Sequence, residues 1–126
     1  MQYSPAVLER VRDPKFVGAL PRDEEAVGTG EAGSLDEGTM TRIQIRVAPD
    51  GRVSDAVFKV FGCSAAIASA SLVAERLQGA NVNLAREMDA LTVVAELELP
   101  MERAHVAGLA VRAARAAADD WQRKQV

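Results

Sequence analysis

The chain holds one cysteine and one histidine, Cys63 and His105, both of types that do chemistry. Cys63 lies in Phe61-Gly62-Cys63-Ser64-Ala65-Ala66-Ile67-Ala68-Ser69, where a strand pattern gives way to a helix pattern. A helix N-terminus carries unpaired N–H groups and a partial positive charge, which favour a thiolate, the form that attacks electrophiles and binds metals. The same position suits a small buried residue filling a strand-to-helix corner, and spacing alone leaves both readings open. His105 offers an imidazole as base or ligand, although a lone histidine at a helix start is also a common capping or solvent-facing residue.

The surrounding elements must bring these groups together. Ser4 as N-cap and Pro5 at the first helical position open a helix with Val7, Leu8 and Val11 on one face, ending near Asp13-Pro14. Residues 17–39 hold five glycines, several acids and little periodicity, and read as a glycine-rich, flexible arm or an irregular edge strand. Met40, Ile43, Ile45 and Val47, with polar residues between the last three, alternate as a half-buried strand. Pro49-Asp50-Gly51 turns the chain, and Val53 to Phe61 returns as the second arm of an antiparallel hairpin.

After Cys63, residues Ile67, Ala68, Ser71, Leu72, Glu75 and Arg76 fall at helical spacing, with Gly79 placed as a left-handed cap. Two shorter helices follow, one opening at Asn83 and one capped by Thr92, before Leu99-Pro100 interrupts. A long helix over about Glu102 to Arg123 presents Val106, Leu109, Ala110, Ala113, Ala114, Ala117 and Trp121 on one face. That face is mostly alanine, so it can lie close against a sheet. Strands followed by helices give the α+β class, with a small antiparallel sheet packed against helices and residues 1–126 as one domain.

Composition narrows the function classes. With 15 basic and 18 acidic residues, a net charge of -3 and 48% hydrophobic residues, the chain lacks the broad basic surface of a nucleic-acid binder. No apolar run is long enough to span a bilayer, and the N-terminus lacks a secretory signal pattern, so a cytoplasmic protein is expected. One cysteine makes no internal disulfide, in keeping with a reducing compartment.

The order of these pieces resembles the IscU/NifU-type iron–sulfur cluster scaffold proteins. The resemblance runs from Tyr3-Ser4, Asp13-Pro14 and Val17-Gly18 through Val27-Gly28-Thr29-Gly30. It is strongest at Phe58-Lys59-Val60-Phe61-Gly62-Cys63 with Ala66-Ile67-Ala68-Ser69, and it ends in Glu96-Leu97-Glu98-Leu99-Pro100 and His105. It implies an IscU/NifU N-terminal-like fold and a ligand set of three cysteines, an aspartate and a histidine. Of these, Cys63 and His105 are present. The family's Cys-Gly-Asp is Glu37-Gly38-Thr39 here, and the third cysteine is Val106. The chaperone-binding Leu-Pro-Pro-Val-Lys becomes Leu99-Pro100-Met101-Glu102-Arg103.

Clusters are held chiefly by thiolates, commonly four, or two with two histidines, and one chain with one cysteine falls short of both. The expected site is therefore Cys63 and His105 with Glu37 or Asp36, taking iron or zinc. Its other occupants would be an iron–sulfur cluster shared between two subunits, or none. The expected function is a non-enzymatic, divergent scaffold or carrier for iron–sulfur cluster assembly, with a cysteine desulfurase or other assembly proteins as partners and a homo-oligomer in view. The alternative is a protein-interaction or regulatory module that kept the fold and lost cluster binding; a thiol enzyme with His105 as base ranks last for want of a substrate-binding motif.

Overall fold

The computed structural model describes residues 2–126. The chain runs α1 (Pro5–Arg12), β1 (Val27–Ser34), β2 (Thr39–Val47), β3 (Val53–Phe61), α2 (Ser64–Leu77), α3 (Leu84–Glu87), α4 (Ala90–Leu97), a 3-10 turn over Met101–Arg103, and α5 (Ala104–Lys124). The three strands form one antiparallel sheet in the order β1-β2-β3. Ile43 of β2 pairs Gly30 of β1 on one side and Phe58 of β3 on the other, and Ile45 likewise joins Gly28 and Ala56. These rows face the helices. The next rows, Thr29–Gln44–Val57 and Glu31–Arg42–Lys59, face the opposite way because side chains alternate along a strand.

The edge strand is more regular than its composition suggests. The arm expected over residues 17–39 is, from Val27 to Ser34, a strand in unbroken eight-residue register with β2. Its glycines serve a close approach rather than a loop. A Cβ on Gly28 would lie 2.0 Å from the Ala117 carbonyl oxygen, and one on Gly30 2.0 Å from that of Ala113. The alanine face of α5 thus lies directly on the glycines of β1, and Ala110, Ala113, Ala114 and Ala117 are fully buried. Small residues on both partners let two backbones meet where larger ones would hold them apart.

α2 follows β3 across the tight corner at Gly62-Cys63 and buries Ala65, Ala66, Ala68, Val73 and Leu77. Gly79 takes φ +75, the left-handed conformation expected of it after this helix. α1 is capped by Ser4, whose Oγ accepts from the Val7 N–H. α4 begins at Ala90 under the cap of Asp89, which accepts from Leu91, so the expected cap at Thr92 falls inside the helix instead. Asp89 is an equally good capping residue and lies one turn nearer the chain's exit from α3. Among the described residues no helix is long and apolar enough to cross a membrane.

Candidate functional site

Cys63 is the N-cap residue of α2, with φ -78 and ψ 173. Its carbonyl accepts from the N–H groups of Ala66 and Ile67 and so starts the helix. The side chain makes no capping hydrogen bond, which leaves the partly exposed sulfur uncommitted at the positive end of the helix. The corner before it is tight: a Cβ on Gly62 would stand 3.1 Å from Cγ2 of Thr39 and 3.3 Å from Cβ of Ala66. Through that contact the start of β2 abuts the start of α2, so the β1–β2 turn borders the cysteine.

A cation completes the surroundings. Arg103, at the end of the 3-10 turn leading into α5, donates from Nε to the Tyr3 hydroxyl over 3.3 Å. Its guanidinium is held above the usual arginine range by the hydrogen bond to Tyr3 and by that phenol's charge, and then by the thiolate of Cys63. Tyr3 and Arg103 are a hundred residues apart in sequence, and their contact ties the N-terminal segment to the entrance of α5.

The other expected site residues stand differently. His105, the second residue of α5, is exposed. Asp36 and Glu37 lie exposed on the β1–β2 turn, whose backbone is held by Glu37 N–H donating to Ser34. Among the described residues no group of three or more His, Cys, Asp and Glu side chains is placed to hold a metal ion. The four candidates therefore border one end of the molecule without converging as a ready-made ligand set. Val106, beside His105, is 1% exposed and belongs to the hydrophobic core. The third cysteine position of the resemblance is thus an apolar packing position here.

Cys63 stands at the strand-to-helix corner that its sequence context predicts, whereas the contact between Tyr3 and Arg103 was not expected. The positive charge of Arg103 was visible; its approach to residue 3 had no local signature. Leu35, Phe61 and Met101, exposed by 60%, 60% and 88%, lie on three segments at this same end of the molecule. The site is a lone thiol at a helix N-terminus, with large apolar side chains exposed at the same end of the molecule.

The family profile described as NifU-like N terminal domain matches residues 2–126. The chain belongs to the NifU-like N-terminal domain family. Among relatives, the iron-sulfur cluster assembly scaffold protein IscU of Rickettsia prowazekii is 39% identical over 125 residues, covering 99% of this chain and 95% of that protein. The protein of the same name from Escherichia coli K12 is 37% identical over 125 residues, covering 99% and 98%. In fold, this NifU-like chain is similar to the N-terminal NifU-like protein from Brucella abortus, with a TM-score of 0.64 and 21% identity over 97% of this chain and 93% of that one. A SUF-system protein from Fervidobacterium islandicum AW-1 is also similar, with a TM-score of 0.64 and 15% identity over 92% and 96%. The α+β expectation is met, with its edge strand regular rather than irregular. The NifU-like donors do not fit a cluster on one chain, because one thiolate is too few for any of the common cluster types.

Proposed function

We propose that this chain serves iron–sulfur cluster assembly as a divergent carrier that accepts sulfur on Cys63, and that it does so without holding a cluster alone. The reading is carried by one observation: the only thiol is partly exposed and makes no capping hydrogen bond at a helix N-terminus. Full-length relatives named as cluster assembly scaffolds support the pathway. The donor is a persulfide on a cysteine desulfurase.

The transfer is a thiol–disulfide exchange. The Cys63 thiolate attacks the outer sulfur of the donor persulfide, a new S–S bond forms, and the donor's own S–S bond breaks. The donor cysteine leaves as a thiolate and Cys63 carries the extra sulfur, so no electrons enter or leave the pair. Arg103 and the α2 N-terminus hold negative charge on the attacking sulfur and afterwards on the bound persulfide. The exchange is stoichiometric, which makes the chain a carrier rather than an enzyme. Iron or zinc held by Cys63, His105 and Glu37 or Asp36 is the weaker form of this reading, since those side chains do not stand together as a cluster of ligands.

Incubation with a desulfurase and cysteine, followed by intact-mass measurement, tests the proposal. The expected product is the chain plus one sulfur atom, absent from Cys63→Ser and removed by a reducing thiol. A wild-type chain that gains no sulfur while still binding assembly proteins would favour the second reading, an interaction module that kept only the fold. That reading has one observation in its favour: the third ligand position is a buried valine.

A further inference from the structure

The outward side of the sheet is half covered. The segment leaving Val17 bridges to Phe58 and then crosses that face, where Gln44 holds it: Leu20 N–H donates to Gln44 Oε1, and Gln44 Nε2 donates to the Leu20 carbonyl and to Thr29 Oγ1. Beyond this crossing the rows Glu31–Arg42–Lys59 and Gly33–Met40–Phe61 remain uncovered. Glu31, Met40, Arg42, Lys59, Val60 and Phe61 line an open cavity of about 250 Å³ there.

Its charges are unbalanced. Nε and Nη2 of Arg42 are shielded from solvent and have no hydrogen-bond partner. The cross-strand acid that would neutralise them, Glu31, is instead 3.5 Å from Arg22. Lys59, on the other flank of Arg42, is exposed and takes part in no ion pair among the described residues. Donors in this state carry an unmet desolvation cost that a carboxylate would relieve. This patch is positive on a chain whose net charge is -3, so the attraction is local rather than general. One row along the strands, Met40 and the 60%-exposed Phe61 offer apolar surface.

We propose that this open half of the outer face docks an acidic segment of a partner protein, with a carboxylate on Arg42 and Lys59 and a large apolar side chain on Met40 and Phe61. The two rows are two residues apart along each strand, roughly 7 Å. An extended segment with an acid and an apolar residue at i and i+2 has the same spacing. The cavity is shallow and smaller than the usual small-molecule site, which favours a polypeptide occupant.

The proposal is independent of sulfur transfer. Its test is an amide-shift NMR titration of the full chain with the capped peptide Ser-Gly-Glu-Ser-Leu-Gly-Ser. Saturating shifts are expected at Met40, Arg42, Lys59 and Phe61. About tenfold weaker binding is expected for Lys59→Glu, for Arg42→Gln, and for the peptide with Gln in place of Glu; Cys63→Ser binds as wild type does. Lys59→Glu changes an exposed residue and leaves the fold intact. Equal binding of the Gln peptide, equal affinity for acetate alone, no localised shifts, or shifts at these residues on raising the protein concentration without peptide would each overturn the proposal. Acetate binding would mark a free-anion site, and the concentration effect a contact between copies of this chain.

Discussion

At Cys63 the question is what makes one sulfur reactive when its usual companions are missing. In the proposed reading both the helix N-terminus and Arg103 act on it, and only the second is removable without disturbing the backbone. Replacement of Arg103 by methionine is expected to slow alkylation of Cys63 by iodoacetamide about two- to fivefold at low ionic strength. The difference should shrink in concentrated salt, because exposed charges are screened over about 10 Å at 0.1 M. A rate indifferent to both substitution and salt would leave the helix end as the sole activator. The position of Cys63 was legible from Phe-Gly-Cys-Ser, where alternation stops and helical spacing begins. The sequence also named His105, Asp36 and Glu37 by type, yet type carries no information on convergence. His105 ends exposed and its neighbour Val106 turns into the core, a difference set by the rotation of α5 on the sheet. Tyr3 and Arg103 stayed hidden because their hydrogen bond spans a hundred positions.

Between elements, close packing and one ion pair decide how firmly the site is framed. The alanine face of α5 was evident from spacing, whereas its complement in β1 was masked: glycines that admit a helix backbone look in sequence like glycines of a loop. Gly30→Ala should therefore destabilise the fold by about 2–3 kcal/mol or more in urea unfolding, since the added carbon must displace the Ala113 carbonyl. Gly108→Ala is its counterpart. Nothing lies within 4 Å of a Cβ there, and alanine is the better residue within α5, so a gain of about 0.5–1 kcal/mol is expected. Equal losses at both positions would mean that the strand glycines act through something other than contact with α5.

α1 is tied to α2 by Arg10, which donates through Nη1 and Nη2 to the two carboxylate oxygens of Glu75 at 3.3 and 3.1 Å. The hydrogen bond from Arg10 holds the Glu75 carboxyl below its usual 4.5, against some opposing desolvation. Between the lowered value and 4.5 the folded chain binds fewer protons than the unfolded one. This contribution is thus fully present above about pH 4.5 and is lost as pH falls through the folded value. With Glu75 42% exposed, solvent screening keeps it below about 1 kcal/mol. Glu75→Gln should lower stability slightly at pH 7 and converge with wild type in acid. A constant difference across that range would point to packing rather than charge.

For the whole molecule, ligand arithmetic and architecture set opposite limits. The fold of the NifU-like family is intact from α1 to α5, and its site end is built from the β1–β2 turn, the α2 corner and the entrance of α5. What has gone is thiolate count, since Glu37, Thr39 and Val106 occupy the positions that the resemblance assigns to two cysteines and an aspartate. One sulfur ligand per chain is too few to enclose a cluster on one copy, which is why the proposed role is to carry sulfur. Anaerobic reconstitution with iron and sulfide, followed by size separation, should leave the monomeric fraction free of cluster absorbance. Two chains together bring two Cys63 thiolates and two His105 imidazoles, the two-plus-two count of Rieske-type two-iron centres. Any retained cluster should therefore elute at twice the chain mass and vanish in Cys63→Ser. A brown monomer that survives that substitution would require ligands the fold does not bring together, and would place the functional centre of this chain away from the α2 corner.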